Sequence, residues 1–251
     1  MSNAAITARH APQLPAGFSG AGFFLGAGDM VGDHARGVRR LLDAGATTSF
    51  VLIESVEGTR QPATRVRDVC VAHRERDIEP ILFTFPVAAR IDSAVAHAVE
   101  CAQLTGIWKI VLDLEPFTDA KTGRKHDWTE RDIAEIVSRL QAAGFFVMIT
   151  LFTRRQWRSI AWKRIAPNVP ILLQVYERVS DEDELAAAIA QWPDHVVVLC
   201  IATYLGPLEK LRHDLSNALP HTRKVGAAAF WKLGSTDMLE ARTVCAWIAP
   251  I

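Results

Sequence analysis

Short apolar runs alternate along almost the whole chain with segments whose apolar residues recur at helical spacing. Runs of four to eight residues rich in β-branched and aromatic side chains read as buried strands, and apolar positions three and four apart read as one helix face. The strand-like runs fall at residues 22–26, 49–54, 80–85, 107–115, 146–152, 170–176, 196–203 and 225–231. Helical patterns lie between them. Val38, Leu41 and Leu42 are closed by Gly45, and residues 64–77 carry Val66, Val69 and Cys70 on one face. Further patterns occupy 92–104, 129–144, 157–165, 180–192, 208–219 and 238–247. Acidic or hydroxyl residues open several of them and glycine closes others, as helix termini require.

Eight strand–helix alternations predict an α/β protein, a single (β/α)8 TIM barrel over residues 17–251. A doubly wound open sheet is the alternative arrangement. Residues 1–16, rich in Ala, Pro, Ser and Gln without an apolar core, read as a flexible N-terminal leader rather than a secretory signal. No break in composition marks a second domain.

The run over 107–115 organises the functional reading, because it ends in two carboxylates. Alternation along a strand puts Asp113 and Glu115 on one face and Leu112 and Leu114 on the other. Acids at the end of a buried strand are costly unless something uses them. The loop that follows, residues 116–128, is the longest and most polar in the chain, and long loops in compact domains are often functional. In a barrel, chemistry sits where strands end. The polar residues expected there include Asp29, Glu54, Glu57, Thr84, Asp113, Glu115, Thr150, Gln174, Tyr176, Glu177, Thr203, Tyr204, Trp231 and Lys232. Acids, an amide, phenols and a tryptophan suit a carbohydrate: the indole stacks on a sugar ring and a carboxyl can protonate a glycosidic oxygen.

Composition narrows the classes without choosing among them. The 251 residues are 49% hydrophobic, enough for one sizeable core. Lys plus Arg and Asp plus Glu balance at 28 each, so bulk charge points neither to nucleic acid nor to an anionic membrane surface. No apolar run reaches the roughly 20 residues of a membrane span. Cys70, Cys101, Cys200 and Cys245 are far apart and predict buried reduced thiols, not a disulfide framework or metal site. The eight histidines are scattered without metal-ligand spacing, so neither a metal nor a cofactor is expected. Gly26-x-Gly28-x-x-x-Gly32 misses the dinucleotide fingerprint by one residue. There is no nucleophile elbow, and no glycine cluster after the seventh or eighth strand to grip a phosphate. Localisation, export route and oligomeric state are not encoded in any of these features.

The strand ends resemble those of glycoside hydrolase family 18. Asp113-x-Glu115 is similar to the last part of its D-x-x-D-x-D-x-E signature, and Gln174-Val175-Tyr176-Glu177 resembles the Q-x-Y-N motif of its plant chitinase/lysozyme branch. Residues 226–231, Gly-Ala-Ala-Ala-Phe-Trp, resemble the last strand, whose tryptophan floors the sugar site. Phe50 to Glu54 with Gly58-Thr59 also resembles family 25 lysozymes, which share a D-x-E on a related barrel. The resemblance departs from the signature at its first two aspartates, where this chain has Trp108 and Val111, and at the third strand, which ends Phe83-Thr84-Phe85-Pro86.

The resemblance implies substrate-assisted hydrolysis of an N-acetylhexosamine polysaccharide such as chitin or peptidoglycan. Glu115 would be the general acid, Asp113 would orient the substrate acetamide and Tyr176 would hydrogen-bond it. Trp231 would pack under the ring, with Gln174, Glu54, Asp29, Thr150 and Tyr204 as further substrate-binding candidates. A barrel without catalysis that binds glycan or a protein partner is a second reading. A lyase or aldolase using Lys109 or Lys232 is a third, although Lys109 lies two strand steps below Asp113 and suits a structural ion pair.

Overall fold

The computed structural model describes residues 20–30, 34–114, 117–118, 123, 125–152, 169–174, 182–190, 192, 195–202, 213, 216–217, 220 and 227–231. In chain order these form β1 (Gly20–Phe24), α1 (His34–Ala44), β2 (Thr48–Glu54), α2 (Ala63–Arg74), β3 (Glu79–Thr84), α3 (Ile91–Thr105) and β4 (Lys109–Asp113). A short hairpin follows, β5 (Phe117–Thr118) with β6 (Lys125–His126). Then come α4 (Glu130–Ala142), β7 (Phe146–Phe152), β8 (Ile171–Gln174), α5 (Glu182–Ala190), β9 (Val197–Ala202) and β10 (Ala227–Trp231). The main strands are parallel and pair in the order β1-β10-β9-β8-β7-β4-β3-β2.

The expected regular, closed (β/α)8 barrel is corrected in two respects. Seven strands curl strongly into an open half-barrel whose edges lie 9 Å apart, about two strand spacings. β10 pairs with β1 from Gly20 to Phe23 and with β9 from Leu199 to Ala202. The second correction concerns the outer layer. Only five α-helices are found among the described residues; those expected over 157–165 and 238–247 lie outside them, as does most of 208–219. Apolar periodicity specifies that strands and helices form. Closure depends instead on tilt and stagger, which periodicity does not record.

The core explains the elements. β2 and β3 are buried along almost their whole length, as strands covered on both faces must be. Ser49 on β2 shares a 2.7 Å hydrogen bond with His73 of α2, which fixes that parity as the helix-facing side. Phe24, Phe50 and Leu52 take the other side and face the axis. Phe24 stacks on Phe50 at 4.2 Å between centroids and meets Phe83 edge-on at 4.7 Å. Gly22 leaves room for this packing: a Cβ there would sit 2.8 Å from Phe50 Cε2.

Local chemistry sets the helix limits. Thr129 and Asp132 form a reciprocal capping box at the start of α4. Gly106, with φ of 70°, ends α3 in the left-handed conformation that glycine adopts without a Cβ penalty. Lys109 bonds Glu79 at 2.7 Å, joining the starts of β4 and β3. Cys70 and Cys101 are buried, and burial pushes both thiols up to about 12. Cys200 is also buried.

Candidate functional site

The C-terminal ends of β4, β7 and β8 bring three predicted residues together. Parallel pairing sets Asp113 beside Thr150, and Phe152 beside Gln174. The pleat then places Val111 and Asp113, Met148 and Thr150, and Leu172 and Gln174 on the axial face. Asp113, Thr150 and Gln174 are each at most 2% exposed. The Gln174 side-chain Nε2 donates to Asp113 Oδ2 at 3.3 Å and also to Thr150 Oγ1. Its Oε1 is buried and has no hydrogen-bond partner among the described residues. An unmatched buried carbonyl oxygen costs about 1–3 kcal/mol. The cluster therefore holds a braced carboxylate and an amide oxygen able to accept a hydrogen bond from a bound hydroxyl or N–H.

Glu54 forms a second cluster. The β2–β3 pairing slips between Leu52 and Glu54, a bulge that pairs Glu54 with Thr84 instead of continuing the alternation from Leu52. Glu54 is 1% exposed, and Arg60 Nε lies 3.5 Å from its Oε1. The Arg60 guanidinium also donates from Nη2 to Ser93 Oγ at 2.8 Å, in the first turn of α3. Burial raises the Glu54 pKa, against the opposing pull of Arg60, Arg90 and His97. The Arg90 guanidinium lies over Gly58, where a Cβ would be 2.5 Å from Nη2. His97 Nε2 approaches the Ile53 carbonyl at 3.3 Å.

The remaining candidates are dispersed. Asp29 accepts from the Gly26 N–H at 2.8 Å and faces Arg40 at 4.0 Å, so it braces its own turn. Trp231 is the last residue of β10, its backbone in register with Ala202. Glu115, Tyr176, Tyr204 and Lys232 lie outside the described residues. The hairpin β5–β6 is formed by the polar segment that follows Glu115. Among the described residues no group of three His, Cys, Asp or Glu side chains converges on a metal position, and no helix is long and apolar enough to cross a membrane.

Arg60, Arg90 and His97 are absent from the residues the sequence singles out. Arg60 and Arg90 follow β2 and β3, strands whose ends offer acids and hydroxyls as the more obvious candidates. Scoring cations in the same loops would have found both arginines. His97 sits in an ordinary helical pattern and carries no such signal.

The curled parallel sheet, with polar residues at its C-terminal end, has counterparts among solved structures. A GH18 chitinase, ChiB from the chitin utilization locus of Flavobacterium johnsoniae, superposes with a TM-score of 0.58 at 10% identity, over 92% of this chain and 94% of that one. Endonuclease IV from Thermus thermophilus gives 0.58 at 13% identity, over 91% and 98%. A sugar phosphate isomerase/epimerase from Parabacteroides distasonis gives 0.56 at 12%, over 90% and 96%. The fold is TIM-barrel-like. At these identities the likeness is one of fold alone, and it spans enzymes of unlike chemistry. No protein-family model matches the sequence, and no curated protein matches it.

Proposed function

We propose that this chain is a glycoside hydrolase acting on an N-acetylhexosamine polysaccharide such as chitin or peptidoglycan. The observation that carries the reading is the buried Asp113 carboxylate, braced by the Gln174 amide two residues before Glu115. In this reading Glu115 gives its proton to the glycosidic oxygen as the bond to the anomeric carbon breaks. The substrate's acetamide oxygen forms the new bond to that carbon, while Asp113 accepts from the acetamide N–H. Water then attacks the cyclic intermediate, losing a proton to the Glu115 carboxylate, and the product keeps its anomeric configuration. Gln174 Oε1 supplies an acceptor for a sugar hydroxyl or N–H, Tyr176 bonds the acetamide, and Trp231 stacks under the ring.

The second reading is a barrel that binds glycan without cleaving it. It is favoured by Val111, fully buried where the resembled signature has an aspartate, so Asp113 has no acidic neighbour one step below it. Chitooligosaccharides and peptidoglycan, each incubated with the protein and with Glu115→Gln, test the proposal. Reducing ends appearing with wild type and absent with the variant support it. Saturable binding without product selects the second reading.

A further inference from the structure

We infer that Cys200 is a specificity-determining residue of the candidate site: a weak donor beside Gln174, it leaves the Gln174 carbonyl oxygen open to a ligand hydroxyl or N–H. The inference rests on the glycan reading above.

The pairing of β8 with β9 sets Gln174 beside Cys200, and that of β9 with β10 sets Cys200 beside Ala229. Paired positions on neighbouring parallel strands share a face, so Cys200 and Ala229 lie on the axial side with Gln174. Both are fully buried. Asp113 and Gln174 bond across two strands, although the register partner of Asp113 on β8 is Leu172. Level positions therefore advance two residues over two strands. Carried from β7 to β9, the same stagger sets Cys200, rather than the register partner Val198, level with Thr150. Thr150 and Cys200 thus flank Gln174 from opposite sides.

The two flanks differ in chemistry. Gln174 Nε2 turns toward β4 and β7, where Asp113 and Thr150 accept from it. The amide is planar, so its oxygen turns away from those strands, to the side of β9. There it meets no donor among the described residues: Gln174 is 2% exposed and its Oε1 has no hydrogen-bond partner. A thiol is only a weak donor, and the Ala229 side chain has no polar atom to offer. A hydroxyl in place of the thiol would hold the oxygen itself, as Thr150 holds the nitrogen. The buried acceptor is left for the ligand, and a ligand without the matching donor leaves it unpaired.

The test is NMR of Glu115→Gln protein, isotope-labelled in its glutamine side-chain nitrogens and titrated with N,N′-diacetylchitobiose. Gln174→Met identifies the Gln174 signal by its loss. Binding should move the Gln174 side-chain nitrogen downfield, as a hydrogen bond to the carbonyl oxygen does. Cys200→Ser should give a shift in the same direction without ligand and weaken binding about tenfold. Cys200→Ala, which offers no donor, should leave both the signal and the affinity near those of the parent. Saturable binding that leaves the signal in place would overturn the inference and leave the glycan reading standing, as would equal affinity of the Ser and Ala variants. No binding by the parent would overturn the glycan reading, and the Cys200→Ser signal would still decide whether Cys200 faces the Gln174 oxygen. Thermal melts of both variants matching the parent separate lost binding from lost folding.

Discussion

Replacing Gln174 by glutamate sets a second carboxylate against Asp113. The amide nitrogen that now donates across 3.3 Å becomes an acidic oxygen, in a position 2% exposed. At that separation and an effective dielectric constant of about 20, two full charges repel by about 5 kcal/mol. The pair has a cheaper course, which is to keep one proton between its oxygens. Holding that proton at about pH 7, against a glutamate that ionises near 4.3 in the unfolded chain, costs about 4 kcal/mol. The smaller figure sets the expected loss.

Its sign with pH follows from the same pair. The folded pKa is raised above the unfolded one, so stability is fully present below about pH 4.3 and is lost as pH rises through the window up to the folded value. Near pH 4 the protonated glutamate donates to Asp113 much as the amide did, and the variant should approach wild type. Urea unfolding of both proteins from about pH 4 to pH 8 reads this directly. A loss independent of pH, or none at all, would show that Gln174 does not face Asp113 in a buried contact and would remove the inner cluster from the account.

Glu54→Gln should respond in the related sense. Because the folded Glu54 pKa lies above its ordinary 4.5, wild-type stability falls as pH rises from about 4.5, and the variant lacks that slope. A wild type that instead gains on the variant with rising pH would mean Arg60 outweighs burial. Gly22→Ala drives a methyl to 2.8 Å from the Phe50 ring, which is stacked on Phe24 and cannot retreat. It should cost about 1–3 kcal/mol in denaturant unfolding, and an unchanged midpoint would contradict the axial packing. Lys109→Met removes a partly exposed ion pair to Glu79 and should cost at most about 1 kcal/mol with glycan cleavage unchanged. Loss of all activity on folded protein would instead revive a lysine-based lyase.

The sequence made the strands legible because β-branched and aromatic runs admit few other readings. Phe146–Phe152 lies where the apolar run predicts it, and Thr48–Glu54 begins one residue before its run. Asp113, Thr150 and Gln174 were legible as polar residues at strand ends, and the parallel register seen in the structure is what brings them together. Three features were not legible. The opening of the curled sheet depends on the tilt and stagger of all the strands together, which no single run encodes. The hairpin β5–β6 is two residues on each side, too short for a period to show in a polar loop. Glu54 was recognisable as an acid at a strand end. Its surroundings were not, because the bulge after Leu52 is a local insertion that alternation cannot register.

The measurement that bears most directly on the account is proton NMR of the first product formed from an N-acetylated chitooligosaccharide, with the matching deacetylated oligomer alongside. Substrate-assisted hydrolysis by Glu115 with Asp113 predicts initial release of the β-anomer from the acetylated substrate and no cleavage of the deacetylated one. Initial release of the α-anomer, or equal cleavage of both oligomers, would contradict the assigned roles.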